Sequence, residues 1–179
     1  MPLCPNESTF AQVVAHEAGG HAFGKLADEY SHIKGAIPAT EKKQFTDRVP
    51  YGWFKNVDFT GDPSSVKWAH ILQDSRYANE KVGCFEGACD YTQGAWRSSD
   101  ESLMRYNEGG FNAPSREAIW LRMHRLAYGS NWEYSYEKFA EYDAKNRTTK
   151  ASRAGRASLP PLPTPKIVLS SWEEACSAQ

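Results

Sequence analysis

With 179 residues, 40% hydrophobic and 13% aromatic, the chain carries enough apolar surface to fold as one domain of ordinary size, which excludes a disordered polymer. A formal net charge of −1 gives no electrostatic basis for nucleic acid as the main partner. No apolar run approaches the roughly 20 residues of a membrane span, and Met1 to Phe10 lack the basic start and apolar centre of an export signal.

The first expected element is a helix. Thr9-Phe10-Ala11-Gln12 reads as a capping box, so the helix starts at Phe10, buries Val13, Val14 and Ala18, and ends at Gly24. It carries His16-Glu17-Ala18-Gly19-Gly20-His21, followed by Ala22-Phe23-Gly24-Lys25 and Leu26-Ala27-Asp28-Glu29-Tyr30. In a zincin helix, H-E-x-x-H places two imidazoles four residues apart on one face and leaves the glutamate to activate water. Here the two histidines are five apart, and positions five apart on a regular α-helix diverge by roughly 140°.

A π-bulge would return them to one face, and Gly19-Gly20 is where the backbone tolerates it. In the alternative register Glu17 and His21, four apart, share a face and Glu17 becomes a ligand or a hydrogen-bond partner. His21-x-x-Gly24 is the spacing at which a glycine lets the chain turn back to bring in a third ligand. Asp28 is the expected third ligand, a carboxylate oxygen being acceptable to zinc. Glu29 stands beside it as the other candidate.

Residues 31–50 are polar, with Gly35, Pro38 and Pro50 as breakers, and read as a surface excursion. Tyr51 to Asp58 suits a short strand or a packed irregular segment. After the Gly61-Asp62-Pro63-Ser64 turn, Ser64 or Ser65 caps a short helix through Leu72, where His70 stands as a lone imidazole. Val82 to Arg97 is glycine-punctuated and aromatic, as expected of a hairpin or tight loops. Cys4, Cys84, Cys89 and Cys176 permit two disulfides and equally suit four thiols. Cys84–Cys89 is expected as a loop staple only in an exported protein.

Asn112-Ala113-Pro114-Ser115 starts a helix carrying Ile119, Met123 and Leu126 on one face and stopping at Gly129. Another helix is expected from Trp132 to Asn146, packing through Tyr136, Phe139 and Tyr142. From Lys145 the composition turns basic and then proline-rich, Leu159 to Pro165, with Ile167-Val168-Leu169 able to add a strand. These shifts divide the chain into a domain over 1–146 and a linker or tail over 147–179.

Ser102-x-Met104-x-Tyr106, about 80 residues after the helix, looks like the Met-turn of the metzincins, in which a methionine floors the metal site. Taken with the histidine helix, His21-x-x-Gly24 and the Leu26–Tyr30 run, the pattern resembles the IgA-peptidase family of bacterial zinc metallopeptidases. The resemblance runs from about Cys4 to about Tyr128, including the Glu86-Gly87 turn and Arg97. It implies an α+β, metzincin-like zincin, represented mainly by the active-site helix and C-terminal subdomain with the upstream sheet missing.

The resemblance further implies Zn²⁺ held by His16, His21 and Asp28, Glu17 as general base, and Tyr106 near the metal or oxyanion. Gly24 and Met104 would be structural neighbours of the site. The expected activity is that of an exported endopeptidase acting on a protein or peptide substrate, immunoglobulin included. Two rival expectations are a degenerate or truncated zincin that binds a partner without cleaving it, and a binder acting through its basic, proline-rich tail.

Overall fold

The computed structural model describes residues 10–107 and 109–147. Thr9 of the capping box, Cys4, Cys176, and the tail expected beyond Arg147, with its proline run and the strand at 167–169, lie outside the described residues.

The architecture is α+β. Helix α1 (Phe10–Val14) continues as a π-helix over Ala15–Phe23. There follow β1 (Ser31–Ala36), α2 (Ala39–Arg48), β2 (Val57–Asp58), α3 (Ala69–Leu72), β3 (Phe85–Ala88), β4 (Asp90–Arg97), α4 (Leu103–Tyr106), α5 (Ala113–Tyr128) and α6 (Tyr136–Asn146). Strand β4 organises the sheet: β1 runs parallel to it from Asp90 to Gln93, while β2 and β3 are antiparallel. The expected hairpin is β3–β4. Its two loop residues, Cys89 (φ 53°) and Asp90 (φ 70°), are both left-handed, the backbone a two-residue hairpin needs to match strand twist. Cys84 and Cys89 are free thiols, and burial pushes Cys89 up to about 12.

Several expectations are corrected. Residues 31–50 hold β1 and the ten-residue α2 instead of an irregular excursion. Helix α2 buries no residue, so no apolar periodicity marked it, and β1 is mostly exposed. The helix expected through Leu72 is only Ala69–Leu72, because Asp62 ties the preceding turn through its carboxylate to Ser64 N. Helix α6 starts at Tyr136, where Ser135 Oγ accepts from Lys138 N. On α5 the buried face is Ala118, Trp120 and Leu121, whereas Met123 and Leu126 are 40% and 64% exposed. On α6 Phe139, Ala140 and Asp143 are buried and Tyr142 is exposed.

Three apolar clusters hold these elements. Trp68, Ile71, Tyr77, Trp120 and Phe139 join α3, α5 and α6. Ala27, Ile37, Phe54, Val57, Ala88 and Ala95 pack the sheet against the segment after the π-helix. Leu26, Met104 and Ala118, with Phe111 and Ile119 beside them, lie under the π-helix. Among the described residues no helix is long and apolar enough to cross a membrane.

Candidate metal centre

The five-residue spacing is accommodated by the π-helix. At its end Gly24 N donates to Gly19 O, five residues back, at 2.8 Å, and the wider turn brings His16 and His21 together with ring centroids 4.8 Å apart. At position 20 glycine fits for steric reasons as well, whereas a side chain at 19 would make only ordinary contact. A Cβ on Gly20 would stand 2.3 Å from Met104 Sδ, so the methionine packs directly on the backbone. A Cβ on Gly19 would stand 3.5 Å from the Phe111 ring.

Gly24 serves differently from the expected turn-former. Its φ is −69°, which any residue adopts, and the left-handed turn falls to Lys25 at φ 56°. Glycine is needed at 24 because a Cβ would meet Ile119 Cγ1 at 2.9 Å and the Gly19 and Gly20 carbonyls at 3.0 Å.

His16 Nε2, His21 Nε2 and Asp28 Oδ1 form a triangle with all three sides 3.1 Å. Each imidazole is oriented from behind. His16 Nδ1 donates to Leu103 O at 2.9 Å and His21 Nδ1 donates to Leu26 O at 2.9 Å. A carbonyl only accepts, so the proton of each neutral ring resides on Nδ1 and both Nε2 lone pairs face the centre. Two lone pairs and a carboxylate oxygen at this separation repel unless a cation lies among them.

The same atoms fit zinc. Ligand atoms of a tetrahedral site with metal–ligand distances of about 2.0–2.1 Å stand about 3.3–3.4 Å apart, a few tenths of an ångström from the triangle's sides. The backbone carbonyls behind both histidines are the outer partners that metal-binding imidazoles need. Without a metal, a proton takes the role. Hydrogen bonding to Asp28 raises His21 to about 9 against the effect of burial. Burial opposes charge on His16, yet its bonds to Asp28 and Leu103 outweigh that and leave it raised. Burial likewise opposes ionisation of Asp28, but both histidines hold its carboxyl well below the usual carboxylate range.

Glu29 is turned away from the triangle and is fully buried. Its carboxylate accepts from Ser102 Oγ at 2.5 Å, Asn56 Nδ2 at 2.8 Å and Asn112 Nδ2 at 2.8 and 2.9 Å. Its backbone N–H donates to Met104 O at 2.9 Å. Burial pushes the carboxyl up, against the hydrogen bonds from Ser102, Asn56 and Asn112. Of the two adjacent acids, therefore, Asp28 faces the histidines and Glu29 ties the Asp28 segment to α4 and the start of α5.

Met104 is fully buried beneath the π-helix. Glu17 is exposed on the π-helix, close enough for its charge to help raise His21; it is not part of the triangle. Tyr106 is 53% exposed, with its ring 4.5 Å from the Arg105 guanidinium carbon. Among the described residues no hydrogen bond joins its hydroxyl to the triangle.

Sequence reasoning gave no role to Tyr30, which helps hold the Asp28 carboxyl down, or to Asn56. Tyr30 lay in plain view two residues after Asp28. Asn56, in contrast, sits 27 residues from Glu29 with no local signal. His70, read as a lone imidazole, pairs with Glu117 at 3.0 Å. No protein-family model matches the chain, and no curated protein matches it.

Proposed function

We propose that the chain is a zinc-dependent endopeptidase of metzincin-like design, similar to the IgA-peptidase family and exported as that family is. The observation that carries this reading is the 3.1 Å triangle of His16 Nε2, His21 Nε2 and Asp28 Oδ1, with both Nδ1 protons held by backbone carbonyls. The three side chains would hold Zn²⁺. When bound, zinc supplies Lewis acidity that activates water and polarises the scissile carbonyl.

The chain's own residues do the rest. The carbonyls of Leu103 and Leu26 keep both rings in the Nδ1–H tautomer and fix their aim. Glu17, exposed next to His16, takes the proton from the attacking water on its carboxylate and returns it to the leaving amine nitrogen. Met104 excludes water from beneath the ligands. The substrate is a protein or peptide.

The test is casein hydrolysis by the zinc-loaded chain beside Glu17→Gln. The proposal expects wild-type cleavage and a loss of at least about 100-fold in the variant, the scale of a general base, with zinc content unchanged. Equal turnover by both proteins sinks the assignment of Glu17. Zinc uptake without any wild-type cleavage favours the rival reading, a partner-binding zincin.

A further inference from the structure

A cleft of about 310 Å³ opens against a different face of α5. Ala118 and Ile119 pack toward Leu26 and Met104 below the metal triangle, whereas Glu117, Leu121 and Arg125, spaced one turn apart, line the cleft. Lys55, Lys67 and His70 face it from the other side.

The charges in this cleft do not balance. The Lys67 ammonium donates to the carbonyls of Phe54 at 3.0 Å and Val57 at 2.6 Å, which satisfy N–H groups without neutralising the charge. Burial lowers its pKa, Asp58 opposes this at longer range, and the nearby Lys55 adds like-charge repulsion. Among the described residues neither lysine nor Arg125 has a carboxylate in ion-pair contact. Among the described residues the one acid lining the cleft, Glu117, is already occupied: His70 Nε2 lies 3.0 and 3.1 Å from its two oxygens and the Tyr134 hydroxyl donates to it.

Three cations with no ion-pair partner among the described residues surround one concavity and attract an anion, and a partly buried ammonium gains most from a carboxylate brought into contact. The remaining walls are apolar and aromatic. Leu121 is buried at the cleft, and Tyr136 stands edge-on to His70 with centroids 4.8 Å apart. The volume lies at the small end of ligand sites, which run from about 300 to 1,000 Å³.

We propose that this cleft binds a carboxylate carried on an aromatic or apolar body, at a site separate from the metal triangle. Two sources share that chemistry, a free aromatic acid and the C-terminal residue of a peptide. The site needs neither metal nor catalysis, so its fate is independent of the peptidase reading.

The experiment is calorimetric titration of the full chain with N-acetyl-phenylalanine, its amide, benzoate and inorganic phosphate. The acid binds at least tenfold more tightly than the amide, and phosphate fails to displace it. Benzoate matching N-acetyl-phenylalanine assigns the site to free aromatic acids, and weaker benzoate assigns it to peptide C termini. Lys55→Gln with Arg125→Gln, two changes outside the core, reduces acid binding at least tenfold while the melting temperature is retained. Equal affinity for acid and amide, equal competition by phosphate, or unaltered binding by the folded double variant overturns the proposal.

Discussion

Met104 rests its sulfur where a side chain on residue 20 would begin: a Cβ on Gly20 would lie 2.3 Å from Sδ and 2.9 Å from Cε. The contact couples the π-helix that presents both histidines to the segment whose Leu103 carbonyl orients one of them. Gly20→Ala is expected to cost about 1–3 kcal/mol, the usual penalty for overfilling a packed core. Met104→Ala alone should cost about 2–5 kcal/mol through the cavity it leaves. Because each change relieves the other, urea unfolding of the double variant should show less than the sum of the two. Strict additivity would mean that the contact is not the constraint.

Asp28 and Glu29 are neighbours with opposite duties, and substitution should separate them. Asp28→Asn removes the charge from the triangle and is expected to weaken zinc binding at least tenfold in a chelator competition while the fold persists. Glu29→Ala strands the buried donors of Ser102, Asn56 and Asn112. With each unsatisfied buried donor costing about 1–3 kcal/mol, the loss should reach about 3 kcal/mol or more in denaturant titration. A Glu29 variant of normal stability that no longer takes up zinc would reverse the assignment.

Metal-free protein should lose stability as the solution turns alkaline. His21 is raised from its ordinary value of 6.5 to about 9, chiefly by its hydrogen bond to Asp28. A raised folded-state pKa means that the folded chain holds the proton more tightly, so the stabilisation is complete below about pH 6.5 and is lost as pH climbs through about 9. Zinc competes for the same lone pairs, so its affinity rises over the same window. Thermal melts of chelator-treated protein between about pH 6 and 10 should fall across that range, and Asp28→Asn should flatten the curve. A wild-type profile as flat as the variant's would remove the His21–Asp28 pair from the account.

The features legible in the sequence were those written into short spans. Two histidines five apart around Gly19-Gly20 pointed to a widened helix, and the Asn112-x-Pro114 start of α5 is the cap whose side chain accepts from Ser115 N. The glycines and aromatics between Val82 and Arg97 pointed to a hairpin or tight loops, and the turn at residues 89 and 90 came only with the structure. The missed parts were those fixed by distant partners. Helix α2 buries nothing, so it shows no apolar stripe to read. The choice between Asp28 and Glu29 depends on Asn56, Ser102 and Asn112, 27 to 83 residues away in the chain. Gly24 was noticed for its spacing, but its cause is the approach of Ile119 from α5, which no local pattern reveals.

The central claim is that His16, His21 and Asp28 together hold one zinc ion. Zinc stoichiometry of the chelator-stripped and reloaded chain, measured by elemental mass spectrometry beside His16→Ala, His21→Ala and Asp28→Ala, addresses it most directly. The account predicts one ion per wild-type chain and essentially none in either histidine variant, with Asp28→Ala weakened at least tenfold. A wild-type chain that takes up no zinc, or histidine variants that retain a full equivalent, would contradict it.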